Sequence, residues 1–390
     1  MLDQMEQTTG LNRKTLIRLM NGKVIRKPRS RQRSKTYGAE VDDALRVISE
    51  TYDHICPERL TPNLAAMAKQ LAAHGELQLC PSLLEELGRI SVSTVRRRLS
   101  KIEWLELYRL PRRKSPKRPN PVTRNIPMKR IPWDEQEPGH FEVDLVHHCG
   151  HSASRDYVHT VQMIDVATGW SERVAVLGRS QRVMEDAFRR IPALAPLGAP
   201  RRAVKRLPFL ILEIHPDNGS EFFNHHLVRF WKDTVKGVQL SRSRPFHKND
   251  NRFVEQKNST LVRAYFGNER LDSVDQTLAL NRLYDKMWVY YNLFQPVMRL
   301  SDKTVTSSSD QDRRVRRHYG PAKTPFQRLC ATNAISEQER ERLEHLRDQT
   351  NPRHLRREIY DLIDHLFSLP GAKPGKTENV LETLTIPIKV

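Results

Sequence analysis

The chain has 390 residues, enough for two to three domains, and 38% of them are hydrophobic, enough for a real core. Lys and Arg number 66 against 46 acids, a net charge of +20 that points to a polyanionic partner, nucleic acid first. No apolar run reaches the length of a membrane span and no signal-peptide pattern opens the chain. Its four separate cysteines lack a Cys-x-x-Cys pair, which fits reduced thiols in the cytoplasm rather than a disulfide or zinc framework.

Residues 1–108 read as helical. In "TTGLNRKTLIRLMNGK" a short turn at Gly10–Leu11 precedes a helix with Leu16, Ile17 and Met20 facing inward and Arg13, Lys14 and Arg18 facing out. In "LLEELGRISVSTVRRRLSKI" Leu83, Leu84 and Leu87 share a helix face and Gly88 ends that helix. Ser91 or Ser93 can cap the next one, which turns Val95 and Leu99 inward and carries Arg96, Arg97 and Arg98 outside. Both stretches resemble helix-turn-helix units, whose second helix enters the DNA major groove. The first begins a few residues after Met1 and leaves little room for a preceding helix, as an internal start would.

The basic residues come in blocks of one sign. Between Asn12 and Lys35 there are ten Lys/Arg and no acid. Between Arg109 and Pro132 there are nine, with six prolines and again no acid. The second block, containing Arg112, Arg113 and Lys114, is too rich in proline for a helix. It reads as an extended linker over 109–132 that can track phosphates.

From 133 to 300 the pattern changes. "HFEVDLVHH" alternates with period two, placing Phe141, Val143 and Leu145 on one face and His140, Glu142 and Asp144 on a polar one. "DYVHTVQMIDVATGW" and "SERVAVLG" complete an antiparallel meander, and a helix follows over 180–192. "LPFLILEI" (207–214) has the composition of a buried strand, and helices are expected over 250–267 and 271–293. Asn249, Asp250 or Asn251 can cap the first of these two. Residues 301–390 are basic around "RRVRRHYG", then helical, with a Ser336/Glu339 capping box, a start at Asn351–Pro352 and a loose tail.

Three acids occupy comparable settings: Asp144 on the first strand, Asp217 directly after the apolar run, and Glu255 about one turn into a helix. Asp144 and Asp217 are 73 positions apart, and 37 residues separate Asp217 from Glu255. Three carboxylates converging at a sheet edge repel one another unless cations join them. A pair of Mg²⁺ ions ~3.5–4 Å apart removes that conflict and can activate a water or 3′-hydroxyl at a phosphodiester. "HHCGH" (147–151) is too closely spaced for zinc and reads as a turn with surface histidines. Asp165 reads as a turn cap, Glu221 as a first-turn helix acid, and Trp170 and Trp231 as core.

"GHFEVDLVHH", "VQMIDVATGW", "IHPDNGSEF" and "RSRPFHKNDNRFVEQKNSTLVR" together resemble the retroviral-integrase-type DDE transposases of bacterial insertion sequences, over roughly residues 130–300. The resemblance implies an α/β RNase H-like core, a five-stranded mixed sheet flanked by helices. An all-α helix-turn-helix region would precede it and a helical extension would follow. It implies that Asp144, Asp217 and Glu255 hold two Mg²⁺ or Mn²⁺ ions, cut element ends and join the 3′-OH to target DNA. Lys248 and Asn249, in a mobile loop beside the site, and Lys257 and Arg263 would then meet DNA. It also implies a homo-oligomer that pairs two ends. The competing readings are a non-catalytic, domesticated DNA-binding protein and an RNase H-like nuclease that cuts without joining.

Overall fold

The β-branched and aromatic runs at the middle of the chain form the sheet, and the helices around it are the segments of 3.6-residue periodicity. The computed structural model describes residues 2–22, 37–102, 131–132, 134–152, 154–190, 207–217, 222, 227, 230–231, 237–244, 250–307, 313–373 and 375–384. The chain divides into two compact units, Met1–Gly38 and Ala39–Val390.

In the first unit, α1 (Leu2–Thr9) and α2 (Arg13–Asn21) are joined by a turn through Gly10 at φ +67°, a backbone region that suits glycine. Asn12 caps α2 by accepting from the Thr15 N–H at 3.0 Å. Leu16 alone of the expected inward set is buried. Ile17 (41%) and Met20 (52%) are exposed, as are Leu11 and Leu19. Two helices of two turns each give too little surface to cover a full apolar stripe.

The second unit opens with α3 (Ala39–Thr51), α4 (Pro57–Leu60), α5 (Leu64–Ala73), α6 (Pro81–Arg89) and α7 (Val92–Ile102). Ser91 caps α7 by accepting from Thr94 N–H, and Val95 and Leu99 turn inward as the periodicity requires. This helical region shares its unit with the sheet. Tyr290 donates to the Thr51 carbonyl at 2.6 Å and Arg59 Nε to the Pro296 carbonyl at 2.6 Å.

The sheet contains β1 (His140–His147), β2 (Val158–Asp165), β3 (Ser171–Leu177), β4 (Glu213–Pro216) and β5 (Gln239–Leu240), in the spatial order β3-β2-β1-β4-β5. The first three strands are the expected antiparallel meander, and β4 and β5 join parallel to β1. This is a mixed five-stranded sheet flanked by helices. Asp165 closes the β2–β3 turn by accepting from the N–H groups of Gly139 and Thr168 and from the Thr168 hydroxyl.

The apolar run 207–214 is not a buried strand throughout. Leu207, Phe209 and Ile211 are buried, Leu210 is 74% exposed, and strand pairing starts only at Glu213. Its hydrophobicity serves one face, where Phe209 stacks on Phe141 at 5.9 Å and meets Trp170 edge-on.

After β3 come α8 (Gln181–Arg190), α9 (Arg252–Lys257) and α10 (Val274–Val289). α9 continues through a π-helical stretch, Asn258–Arg263, to Ala264–Phe266, and α10 ends in a second one, Tyr290–Phe294. α10 packs on β3. Between them lies Arg173, 1% exposed, donating to the carbonyls of Leu261 and Met287. The indole N–H groups of Trp170 and Trp288 both reach Glu172 Oε1, at 2.9 and 2.7 Å, so both rings join the core without an unpaired donor.

The region after 300 is not only helical. β6 (Leu300–Ser307) and β7 (Arg313–Tyr319) form a hairpin, with the basic run in β7. Then follow α11 (Pro325–Leu329), α12 (Glu337–Gln349) and α13 (Pro352–Ser368), the last two capped by Ser336 and Asn351. α13 is tied to α3 and the turn after it by the pairs Arg353–Glu50 (2.9 Å) and Arg356–Asp53 (3.1 Å). The expected loose tail is anchored as far as it is described: Ala372 N–H donates to Asp272 and Val274 N–H to Glu378.

Candidate active site

β1 sits at the centre of the sheet and brings Glu142 and Asp144 to one face. That face is not open to water, because α9 lies over it. Glu142 is 1% exposed, and its Oε2 accepts the N–H groups of Phe253 and Val254 at 2.7 and 2.9 Å. These are first-turn donors that no intrahelical carbonyl can satisfy, and a carboxylate there also complements the helix dipole. The cap of α9 therefore comes from β1 rather than from its own flank. Asn251 makes no side-chain cap, and Asp250 is bound by Arg244 through three bonds of 2.9 Å.

Asp144, two residues along β1, is half-buried. Its Oδ1 accepts the N–H of Leu145 at 2.9 Å, and its Oδ2 accepts the side-chain amide of Asn258 at 2.6 Å. α9 thus lies along β1, held at one end by Glu142 and at the other by Asn258. Glu255 lies three residues before Asn258, one turn back on the helix, with an exposed side chain.

The register of β1 with β4 runs His140↔Glu213 to Val143↔Pro216. One more step sets Asp217 beside Asp144. In-register residues on neighbouring strands point to the same face, and the strands lie about 4.8 Å apart. Asp217 is half-buried at the strand end. Behind it, a polar chain crosses three strands. His140 Nδ1 meets Glu213 at 2.9 Å, Ser241 bonds Glu213, and His215 Nδ1 meets Ser241 at 2.6 Å. The hydrogen bond to Glu213 raises the pKa of His140.

As donors for an ion, three carboxylates offer the all-oxygen set that Mg²⁺ or Mn²⁺ prefers. Two of them, Asp144 and Asp217, directly follow the register partners Val143 and Pro216. Glu255 stands apart: among the described residues, no three His, Cys, Asp or Glu side chains converge to hold a metal. The chain therefore provides one aspartate on β1, a second directly after β4 and a third acid on an adjoining helix.

The cations expected to meet DNA divide. On α2, Arg13 pairs with Asp3 at 2.7 Å, while Lys14 and Arg18 are exposed. On α7, Arg96 pairs with Glu58 and Arg98 with Asp42; Arg96 and Arg97 are exposed and Arg98 is half-buried. Two expectations are corrected. Lys257 is 9% exposed, with its ammonium 5.0 Å from the centre of the Tyr291 ring. Arg263 is turned inward, donating to the carbonyls of Gly267 and His147, and burial lowers its pKa. Both follow from α9 and its extension being packed on two sides. Arg112, Arg113, Lys114, Lys248, Asn249 and Glu221 lie outside the described residues.

"HHCGH" also differs from expectation. His148 is fully buried, with Nε2 2.8 Å from the Thr160 hydroxyl, which in turn meets the Tyr284 hydroxyl at 2.6 Å. Burial pushes His148 and His159 down to a pKa of about 3.

No family model matches the chain. It is 34% identical over 328 residues, 84% of its length and 88% of the other's, to the uncharacterized protein y4rM of Sinorhizobium fredii (strain NBRC 101917 / NGR234). The chain belongs to the family of y4rM. Among solved structures it is similar to the catalytic core domain of BIV integrase, at 16% identity over 40% of this chain and 85% of that one. The TM-score there is 0.27, a likeness too loose to argue from. Among the described residues no helix is long and apolar enough to cross a membrane.

Two features of the site escape a reading of the sequence: Glu142 as the cap of α9 and Asn258 as the partner of Asp144. Glu142 shares a strand face with Asp144, and Asn258 shares a helix face with Glu255. Both periodicities were available, but neither says which helix covers which strand.

Proposed function

We propose that this chain is a DDE-type polynucleotidyl transferase with an RNase H-like core, which cuts double-stranded DNA at element ends and joins the 3′-OH to target DNA. The observation that carries the reading is the β1–β4 register, which pairs Val143 with Pro216, the residues just before Asp144 and Asp217. Residues 133–300 would carry the chemistry. The helices of 1–108 would recognise ends, with Lys14, Arg18 and Arg97 as exposed phosphate contacts, and 109–132 would link the two. Pairing of two ends calls for a homo-oligomer.

Asp144 and Asp217 would share a divalent cation, and Glu255 would complete the second site. When bound, Mg²⁺ or Mn²⁺ supplies activation of the attacking oxygen and stabilisation of the leaving one. The chain's own residues do the positioning. Asn258 fixes the rotamer of Asp144 through Oδ2. Glu142 fixes the start of α9 and hence the height of Glu255 over the sheet.

The test is strand transfer from a labelled duplex carrying the gene's flanking ends into a plasmid, in Mg²⁺ or Mn²⁺. Asp144→Asn, Asp217→Asn and Glu255→Gln should each abolish the joined product while gel-shift binding of the duplex survives. Glu255 is exposed and lies outside any three-acid cluster among the described residues, which favours a second reading, a DNA-binding protein without catalysis. Binding by wild type with no cleavage or joining would establish that reading instead. Cleavage without joining would make the chain a nuclease.

A further inference from the structure

On the side of α9 away from β1 lies a cleft of about 670 Å³, within the roughly 300–1,000 Å³ of small-molecule sites. Gln256, Lys257, Thr260 and Ala264 form one wall. The turn after α3 and the start of α4 form a second, and Tyr291 and Tyr319 contribute to the rest. None of the three acids proposed for catalysis lines it.

Three of its polar groups have unfilled capacity. Lys257 is 9% exposed and has no acid partner among the described residues; its ammonium rests on the Tyr291 ring. Tyr291 is 2% exposed, and its hydroxyl has no hydrogen-bond partner among the described residues. Arg59 gives its Nε to the Pro296 carbonyl, and burial lowers its pKa, the sign of a guanidinium short of counter-charge. Burying a cation and a hydroxyl without an acceptor is unfavourable, and a ligand that supplies acceptor oxygens removes that penalty.

The acids of the cleft do not neutralise these groups. Asp53 accepts from the Tyr265 and Tyr360 hydroxyls and pairs with Arg356, and Glu58 pairs with Arg96. Asp53 and His54 are held at positive φ, +57° and +53°, a strained turn fixed by those contacts. Tyr319, 52% exposed, offers a flat aromatic face at the same cleft.

We infer that this cleft binds a nucleotide, its phosphate held by Lys257, Arg59 and the Tyr291 hydroxyl and its base stacked on Tyr319. Phosphate oxygens accept from ammonium, guanidinium and hydroxyl donors, and an exposed tyrosine stacks any base. The inference is independent of the catalytic reading. A free nucleotide and one unit of a single-stranded nucleic acid present the same chemistry.

Cys56 lines the cleft and is exposed, whereas Cys80 is exposed elsewhere. Alkylation of both by iodoacetamide, followed by mass spectrometry on the full-length protein, therefore carries its own control. Thymidine 5′-monophosphate should slow Cys56 at least fivefold and leave Cys80 unchanged, and inorganic phosphate should do the same only at higher concentration. Tyr319→Ala should remove that difference. An oligo-dT that protects at a lower concentration than the mononucleotide identifies the source as nucleic acid, and the reverse identifies a free nucleotide. Lys257→Met and Tyr291→Phe should each abolish protection. Tyr291→Phe keeps the ring in place, so it carries the test if Lys257→Met fails to fold. Unprotected Cys56, equal protection of Cys80, or protection undiminished in Tyr291→Phe would overturn the site.

Discussion

Acid should unfold this protein through two histidines far from its charged surface. His148 is fully buried and His159 nearly so, and burial lowers each from 6.5 to about 3. Secondary contributions come from the cations and rings around them: Arg263 and His147 for His148, and His147, His148 and Arg179 for His159. The unfolded chain takes up these protons near pH 6.5 and the folded chain only near pH 3. At pH 5 the unfolded state therefore binds more protons, and stability is lost as pH falls through that window. One and a half pH units below 6.5 is worth about 2 kcal/mol per histidine, and so about 4 kcal/mol for two independent groups. Urea unfolding followed by circular dichroism at pH 7.5 and pH 5.0 measures the loss. Carboxylates also titrate in this range, so the decisive comparison is with His159→Phe, which keeps an aromatic ring beside Tyr157 and His147. That variant should lose about 2 kcal/mol less than wild type on acidification. An identical pH dependence in both proteins would refute the argument.

Three further outcomes are expected. Asn258→Ala frees Asp144 Oδ2 from its amide partner and should raise the Mg²⁺ concentration for half-maximal strand transfer by about tenfold, read from a metal titration. Glu142→Ala leaves two first-turn N–H groups of α9 without an acceptor and should cost about 2–4 kcal/mol, measured by urea denaturation at pH 7.5. Arg97→Gln should reduce the slope of log K against log salt for duplex binding by about 0.9, one phosphate contact. Arg98→Gln should leave the slope unchanged, because its guanidinium is held by Asp42; an equal drop would mean that this pair opens on DNA.

The local signals in the sequence translated well where they were local. The period-two alternation in 140–147, the Gly169 turn, the caps at Ser91, Ser336 and Asn351, and the helical spacing of Val95 and Leu99 all have their counterparts in the structure. Two kinds of reading failed. Apolar runs do not report how much of a segment is covered, so 207–212 is not strand, and Ile17 and Met20 lie exposed. Polar residues do not report their partners, so Lys257 lies against the Tyr291 ring and Arg263 donates to the His147 carbonyl.

The sequence by itself determined the charge, the meander of β1 to β3, and the three acids with their spacing, because each depends on residues close together in the chain. Only the tertiary structure decided which strand lies beside which. The β1–β4 register pairs Val143 with Pro216, the residues just before Asp144 and Asp217, across 73 positions. It also decided that the cap of α9 comes from a strand more than a hundred residues away. Pairing across such distances is set by the packing of whole faces, which no local pattern encodes.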